Sequence, residues 1–215
     1  MAGMKHSPVS RRGLLIGTCA ALLPLRQSLA APLAGTPSQT EGPFYPVAFP
    51  ADADNDLVQV RGQAAQAMGV ILHLQGRMLD GDGRALPGAL VEIWQCDSRG
   101  LYDHPRQPGR ERRDTAFQGY GRMHADAAGR YQFRTLQPVA YPGRTPHIHL
   151  RAATASGGLL TSQFYVAGDP RNDADFVFRS AARDPRQRER IEMRLAPAAG
   201  LEAGALATAM DIVIG

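Results

Sequence analysis

Two histidines stand two positions apart in the segment HIHLRAA, at His147 and His149. The segment has the pattern of a β-strand, and alternate residues of a strand project from the same face of a sheet. Both imidazoles can therefore reach one metal ion. The same spacing is also compatible with a half-exposed polar face, so the pair by itself leaves both interpretations open.

Two tyrosines strengthen the metal interpretation. Tyr141 lies six residues before His147 in a loop bounded by prolines, and Tyr102 follows the apolar segment LVEIWQC. Phenolate oxygen is a hard, strongly donating ligand that favours Fe(III) over Fe(II), zinc or copper. A tyrosine with a pKa of about 10 loses its proton at neutral pH because a bound cation favours the anion. The four side chains together indicate ferric chemistry.

The elements that carry these residues are predicted to be short strands, because the 23 glycines and 16 prolines are spread through the chain. Alternation predicts strands in VILHLQGRMLD and ALVEIWQC, joined as a β-hairpin by the turn at Gly81, Asp82 and Gly83. Further strands are predicted in RYQFRT, HIHLRAA, LLTSQFYV and AMDIVIG. Residues 103–122 are expected to form a long surface loop, and residues 174–194 to contain a short helix. The predicted fold is all-β, a single antiparallel β-sandwich of the transthyretin (prealbumin) type, with long loops around the metal site.

Residues 1–30 are interpreted as a cleaved export signal. Adjacent Arg11 and Arg12 precede an apolar run over residues 14–25 and a small-residue site ending at Ala30, the pattern of a twin-arginine signal. A general secretory signal is the alternative. The expected location is periplasmic or secreted in a bacterium. The apolar run is too short for a stable membrane anchor.

Processing changes both the charge and the cysteine content. Residues 1–30 carry four basic residues and no acidic ones, so their removal takes the formal net charge from +4 to zero. No nucleic-acid partner is expected. Cys96 alone remains of the two cysteines, and its apolar neighbours favour a buried structural thiol. The remaining chain is predicted to comprise an extended lead-in over residues 31–69 and a single core domain over residues 70–215.

Several segments resemble, in order, the core motifs of the intradiol ring-cleavage dioxygenases, and of their protocatechuate branch in particular. They are GALVEIWQCDSRGLYDH, YGRMHADAAGRYQFRTLQPVAYPGRTPHIHL and LLTSQFYVAGDP. The lead-in string TEGPFYP and the terminal DIVIG fit as well, so the resemblance extends over most of residues 36–215.

The resemblance implies an enzyme that cleaves catechol-type rings with O2 between the two hydroxylated carbons, giving cis,cis-muconate-type diacids. It implies one non-haem Fe(III) ion per chain, with ligands Tyr102, Tyr141, His147 and His149. Tyr141 would also leave the ion and take a substrate proton. Arg144 would lie beside the bound ring and Gln163 near the substrate. Arg144 could instead be a salt-bridged surface arginine, and Gln163 a plain strand residue.

The expected partners are a small aromatic diol and O2, and a homo-oligomer is possible. The particular catechol stays open, because the arginines of the predicted loop could attract a carboxylated ring or be solvated. They are Arg106, Arg110, Arg112, Arg113 and Arg122. Two alternatives remain: an Fe(II) oxygenase of another class with two histidines and one carboxylate, and a non-catalytic transthyretin-like binding module. The generic strand-and-turn string GRALPGALVEI suggests the second.

Overall fold

The computed structural model describes Met1, Gly3 and Ala31–Gly215. The interpretation of residues 1–30 as an export signal therefore falls outside the described residues. Within the described part of the chain, no helix has both the length and the apolar character needed to cross a membrane.

Short strands dominate the described chain, and helices are few. The strands are β1 (Ile71–Asp80), β2 (Leu90–Trp94), β3 (Tyr120–His124), β4 (Arg130–Leu136), β5 (His147–Ala153), β6 (Leu159–Val166), β7 (Glu192–Met193), β8 (Ala196–Pro197), β9 (Leu206–Ala209) and β10 (Ile212–Ile214). The helices are α1 (Phe176–Ala181), α2 (Pro185–Arg188) and the 3-10 turns Arg110–Arg112 and Asn172–Ala174. The prediction of a mostly β chain with a short helix near residues 174–194 is confirmed.

Two five-stranded sheets share one hydrophobic core. The first sheet has the order β10-β1-β9-β8, with β4 also paired to β1, and the second has the order β3-β2-β5-β6-β7. One buried cluster combines Leu72 and Phe133 of the first sheet with Ile93, Ile148 and Phe164 of the second. Burial of these side chains is the main favourable term that holds the sheets together.

The predicted hairpin over residues 70–96 is wrong. Strand β1 pairs with β4 from Ile71↔Leu136 to Arg77↔Arg130, whereas β2 pairs with β3 and β5 in the other sheet. The turn at residues 81–83 therefore links the two sheets. A turn signal shows that the chain reverses, but two alternating strands can bury their apolar faces equally well across a core as side by side.

The predicted antiparallel pairing holds for five strand pairs, but both sheets also contain parallel pairs and are therefore mixed. Strands β9 and β10 run parallel to β1, and β7 runs parallel to β6. Parallel neighbours need long connections. More than a hundred residues separate β1 from β9, and helices α1 and α2 lie between β6 and β7, so the chain has room to return in the same direction.

The segment over residues 31–69 contains no helix and lies against the two sheets. Its backbone donates hydrogen bonds from Thr36 to Val213 and from Gln39 to Thr161, at 2.9 and 2.8 Å. These contacts carry the chain toward Phe44 and Tyr45, which pack in a cluster with Trp94, Tyr102 and other partly buried side chains. The lead-in is therefore part of the wall around the predicted site.

Candidate active site

Strand β5 fixes the two histidines. His147 and His149 are each about 1% exposed, and β5 lies between β2 and β6 in the middle of its sheet. The spacing of two residues directs both rings to the same face, and their Nε2 atoms are 3.1 Å apart. The predicted His-x-His pair is therefore assembled by the strand itself.

A tight turn after β2 positions Tyr102. The Asp97 carboxylate accepts hydrogen bonds from the backbone N–H groups of Arg99 and Leu101, at 2.9 and 3.0 Å, and so fixes the chain just before Tyr102. Tyr102 is 2% exposed, and its hydroxyl lies 3.1 Å from Nε2 of His149. Phe44 of the lead-in stacks on the Tyr102 ring with centroids 4.5 Å apart.

Tyr141 reaches the same point from the loop between β4 and β5. Residues 141–144 form a turn closed by a hydrogen bond from the Arg144 N–H to the Tyr141 carbonyl, at 2.9 Å. Proline at the second position and Gly143 at the third, with φ of +82°, are the residues that a type II turn requires. The Tyr141 hydroxyl lies 3.4 Å from Nε2 of His147. Two phenolic oxygens and two imidazole nitrogens thus converge.

The protonation states of the histidines suit metal binding. Burial, reinforced by Arg144, lowers the pKa of His147 to about 3. Burial, His147 and Arg144 also lower the pKa of His149. Both rings are therefore neutral at pH 7. The His147 Nδ1 lies 2.6 Å from the Thr145 carbonyl oxygen, which favours the proton on Nδ1 and leaves a lone pair on Nε2.

The two phenols complete a donor set that fits a hard trivalent ion. Burial raises the pKa of Tyr102, and burial outweighs the opposing effect of Arg144 to raise the pKa of Tyr141. Without a cation both hydroxyls therefore keep their protons, and a cation between them would favour the phenolates. A different kind of site, built from three or more His, Cys, Asp or Glu side chains, is not found among the described residues.

Arg144 and Gln163 lie together beside these four side chains. Gln163 of β6 is paired in register with His149, and its Oε1 accepts a hydrogen bond from Nη2 of Arg144 at 2.6 Å. Arg144 also donates from Nε to Asp175, at 2.8 Å. Gln163 in turn donates from Nε2 to the Thr40 carbonyl, at 3.0 Å. Both residues thus belong to a buried network that reaches the lead-in.

A surface cleft of about 260 Å³ adjoins Tyr141. Its walls combine one phenol, two arginines, one carboxylate and small side chains. They are Ala140, Tyr141, Gly143, Arg144, Thr145, Arg171, Ala174 and Asp175. The cleft gives a small molecule access to Tyr141 and Arg144.

Sequence reasoning missed the aromatic packing behind the site. Trp94 is buried and stacks on His149 with centroids 4.9 Å apart and planes 8° from parallel. Tyr45 contacts Trp94 edge-on and donates a hydrogen bond to buried Glu92, at 3.1 Å. The string TEGPFYP indicates a rigid aromatic segment, but it does not predict the contacts of Tyr45 with Trp94 and Glu92.

The other residues considered from the sequence lie apart from the four donors or serve structure. Cys96 is buried, and burial raises its thiol pKa to about 12. In the loop after Tyr102, Arg110 and Arg113 both form ion pairs with Asp103, at 2.6 and 3.3 Å. Arg122 lies in β3 and not in a loop as predicted, and its guanidinium lies over the Phe49 ring at 5.8 Å. These three arginines thus already have partners.

Comparison with known proteins identifies the family. The family model described as "Dioxygenase" matches residues 40–213. The protocatechuate 3,4-dioxygenase beta chain of Burkholderia cepacia is 34% identical over 172 residues, covering 75% of this chain and 71% of that protein. Catechol 1,2-dioxygenase 1 of Acinetobacter lwoffii is 29% identical over 162 residues, covering 67% of this chain but only 50% of its own length.

A solved structure agrees with these relatives. The dioxygenase domain of a dioxygenase carbohydrate-binding protein fusion from Streptomyces sp. SirexAA-E is 30% identical, with a TM-score of 0.65, and the match covers 84% of this chain and 98% of that one. The chain therefore belongs to the intradiol ring-cleavage dioxygenases, a family of oxidoreductases.

Proposed function

We propose that this protein is an Fe(III)-dependent intradiol dioxygenase that opens catechol-type rings with O2 to give cis,cis-muconate-type diacids. The observation that carries the proposal is the convergence of four donor atoms. The Tyr102 hydroxyl lies 3.1 Å from Nε2 of His149, the Nε2 atoms of His147 and His149 are 3.1 Å apart, and the Tyr141 hydroxyl lies 3.4 Å from Nε2 of His147. Family membership supports the reaction class.

These four side chains would hold one ferric ion per chain. Two neutral imidazoles and two phenolates give an N2O2 set with net charge −2, which suits a hard trivalent cation better than Fe(II) or zinc. When bound, the ion would draw electron density from a chelated catecholate and so make the ring reactive towards O2. The tyrosine oxygens beside the histidines favour this site over one with two histidines and a carboxylate.

The two tyrosines would have different roles. Tyr102 is fully buried and stacked beneath Phe44, whereas Tyr141 is only partly buried and lines the cleft. An entering diol would therefore displace the Tyr141 phenolate from the ion. The freed Tyr141 oxygen would take one of the two protons of the diol. Tyr102 would keep its position throughout.

Arg144 would act on the ring, and Gln163 would hold Arg144 in place. The Arg144 guanidinium lies at the cleft with Tyr141, so it can stabilise negative charge that develops on the activated diolate. Gln163 is hydrogen-bonded to Arg144 and would orient the guanidinium toward the substrate. Both side chains are fixed before the substrate arrives, which avoids reorganisation during the reaction.

The location and finer architecture are part of the same proposal. A twin-arginine signal would export the folded, iron-loaded enzyme to the periplasm or beyond, where it would meet its substrate. Activity in periplasmic and cytosolic fractions, with Arg11 and Arg12 both changed to Lys in a parallel strain, tests this.

Two sheets around one core support a transthyretin-type sandwich.

Product analysis with 18O2 tests the reaction. We expect the iron-loaded protein to convert catechol, protocatechuate or hydroxyquinol to a diacid that retains both labelled atoms. The Tyr131→Phe variant should retain this activity, because Tyr131 is a buried tyrosine on β4 of the first sheet, where it hydrogen-bonds the Met210 carbonyl. A yellow semialdehyde product would instead identify cleavage outside the diol, and no ring opening with any of the three would contradict the proposal.

A further inference from the structure

Asp175 links the start of helix α1 to the candidate site. One carboxylate oxygen, Oδ1, caps the helix by accepting hydrogen bonds from the N–H groups of Val177 and Phe178, at 2.8 and 3.0 Å. The other, Oδ2, accepts from Nε of Arg144 at 2.8 Å and from the N–H of Thr145 at 3.0 Å. All four bonds come from buried or half-buried donors, so the carboxylate is held rigidly.

Arg144 is consequently held at two of its three nitrogens. Nε is bound to Asp175, and Nη2 is bound to Gln163, at 2.6 Å. The third nitrogen, Nη1, donates to no described residue. Because a guanidinium is planar, two fixed nitrogens determine the direction of the third. Arg144 lines the cleft beside Tyr141, so its remaining hydrogen-bonding capacity is available to a bound molecule.

The Gln163 anchor is itself secured from both sides. Its Oε1 also accepts a hydrogen bond from the Tyr165 hydroxyl, at 3.1 Å, and its amide nitrogen donates to Thr40. Asp175 is the only acidic side chain among the described residues that forms an ion pair with Arg144. The side chains of Arg144 and Asp175 are 17% and 1% exposed, so water competes weakly for this contact.

We propose that Asp175 is a positioning residue of the ring-cleavage reaction, which fixes the Arg144 guanidinium plane and thereby keeps Nη1 available to the cleft. The inference rests on the proposed function, because the direction of Nη1 matters only if the cleft receives a diol. It assigns to the capping residue of α1 a role in the reaction as well as in folding.

The Asp175→Asn variant separates the two roles. Asparagine caps helices about as well as aspartate, so its Oδ1 can still receive the α1 N–H groups. Its Nδ2 then faces Arg144 and Thr145, so that donor meets donor. Asp175→Ser, which also caps but is too short to reach Arg144, is a second variant in case the first folds poorly. Asp184→Asn is the matched control, because Asp184 caps α2 by accepting a hydrogen bond from the backbone N–H of Arg186 at 2.8 Å, and no described hydrogen bond joins it to Arg144 or Gln163.

Steady-state kinetics of the iron-loaded variants give the first result. We expect Asp175→Asn and Asp175→Ser to lower kcat by roughly tenfold or more, with KM changed by less than about threefold, because Arg144 acts on charge that develops during the reaction. Asp184→Asn should leave both constants unchanged. In an Arg144→Ala background, Asp175→Asn should lower kcat by less than about twofold, since its effect passes through Arg144. A full additional tenfold loss in that background would assign Asp175 a merely structural role and overturn the proposal.

A crystal structure of Asp175→Asn gives a result that does not depend on activity. We expect the Nη2–Gln163 contact to open beyond about 3.5 Å while α1 keeps its first turn. An Arg144 side chain unmoved in the variant would contradict the positioning role even if the wild-type enzyme cleaves catechols. A wild-type protein that opens no diol would refute the proposed function, and the structure would still decide whether Asp175 fixes Arg144.

Discussion

The two sheets bury different kinds of side chain. In the described strands of the first sheet the buried polar side chains are Thr135 and Thr208, apart from the phenol of Tyr131. The second sheet buries charged or strongly polar groups on three neighbouring strands: Glu92, His147, His149, Ser162 and Gln163. A buried polar group costs free energy unless it has a partner, and within the described residues Nδ1 of His149 has none. The second sheet thus carries polar groups that serve chemistry, and the first supplies apolar surface that serves stability.

Removing a site histidine should give the largest effect. We expect His149→Ala to lower ring-cleavage activity by a factor of at least about 10³, because an oxygen-activating centre loses one of its four donors. His73→Ala is the control from the first sheet, where His73 contacts Glu202 at 3.2 Å on the half-exposed side. Turnover of both variants is measured at full iron occupancy. An active His149→Ala variant would contradict the assignment of the chemistry to the second sheet.

A core substitution in the first sheet should lower the stability of the protein and leave its turnover unchanged. Phe133 on β4 is buried in the shared cluster, so Phe133→Ala should lower the free energy of unfolding by about 3–5 kcal/mol. Its folded fraction should retain wild-type kcat, because no described contact joins Phe133 to the donor set. Urea unfolding followed by activity at low temperature provides the check. A large loss of kcat in fully folded protein would show that the first sheet also shapes the site.

The lead-in sharpens the comparison, since it braces the second sheet from outside. Phe44→Ala removes the ring stacked on Tyr102. We expect it to weaken iron binding by up to about tenfold, the equivalent of an aromatic pair worth about 0.5–1.5 kcal/mol. Phe49→Ala is the matched control on the same segment, because Phe49 is 49% exposed. Chelator competition gives the affinities, and equal effects of the two changes would deny Phe44 a specific role.

The smallest effect concerns the polar surface of the first sheet. The hydrogen bond from Arg134 lowers the pKa of Glu202 below its ordinary value of 4.5. A depressed carboxyl pKa contributes stability above the unfolded-state pKa, and this contribution is lost as the pH falls through the folded-state pKa. Because the Glu202 side chain is partly exposed and its ion pair is screened by solvent, we expect this contribution to be less than about 1 kcal/mol. Unfolding of Glu202→Gln should show a smaller stability difference between pH 7 and pH 3 than wild type, and an identical difference would exclude the pair as a contributor.

Local patterns predicted the elements well and their partners poorly. The segments RYQFRT, HIHLRAA and LLTSQFYV coincide almost residue for residue with β4, β5 and β6, because alternation is a property of each strand alone. The pairing of β1 with β4 instead of β2, and the parallel return of β9 and β10, depend on contacts far apart in the chain.

The candidate site shows the same difference between features set by local sequence and features set by contacts far apart in the chain. The spacing of His147 and His149 was enough to predict that their rings share a face. Tyr102 was a candidate because it follows the apolar segment LVEIWQC, but its approach to His149 could not be read from spacing, since 45 residues separate it from His147. Asp175 could be recognised as a helix cap from its place before FVFRSA, but its contact with Arg144 spans 31 residues and follows from the packing of α1. Phe44 gave no signal of its partner.

The visible absorption spectrum of the iron-loaded protein, recorded before and after anaerobic addition of catechol, tests the four-donor site most directly. A broad phenolate-to-Fe(III) band that shifts on addition, and that is lost or displaced in Tyr102→Phe but kept in Tyr131→Phe, is the predicted result. A colourless protein at full iron occupancy would contradict ligation by Tyr102 and Tyr141.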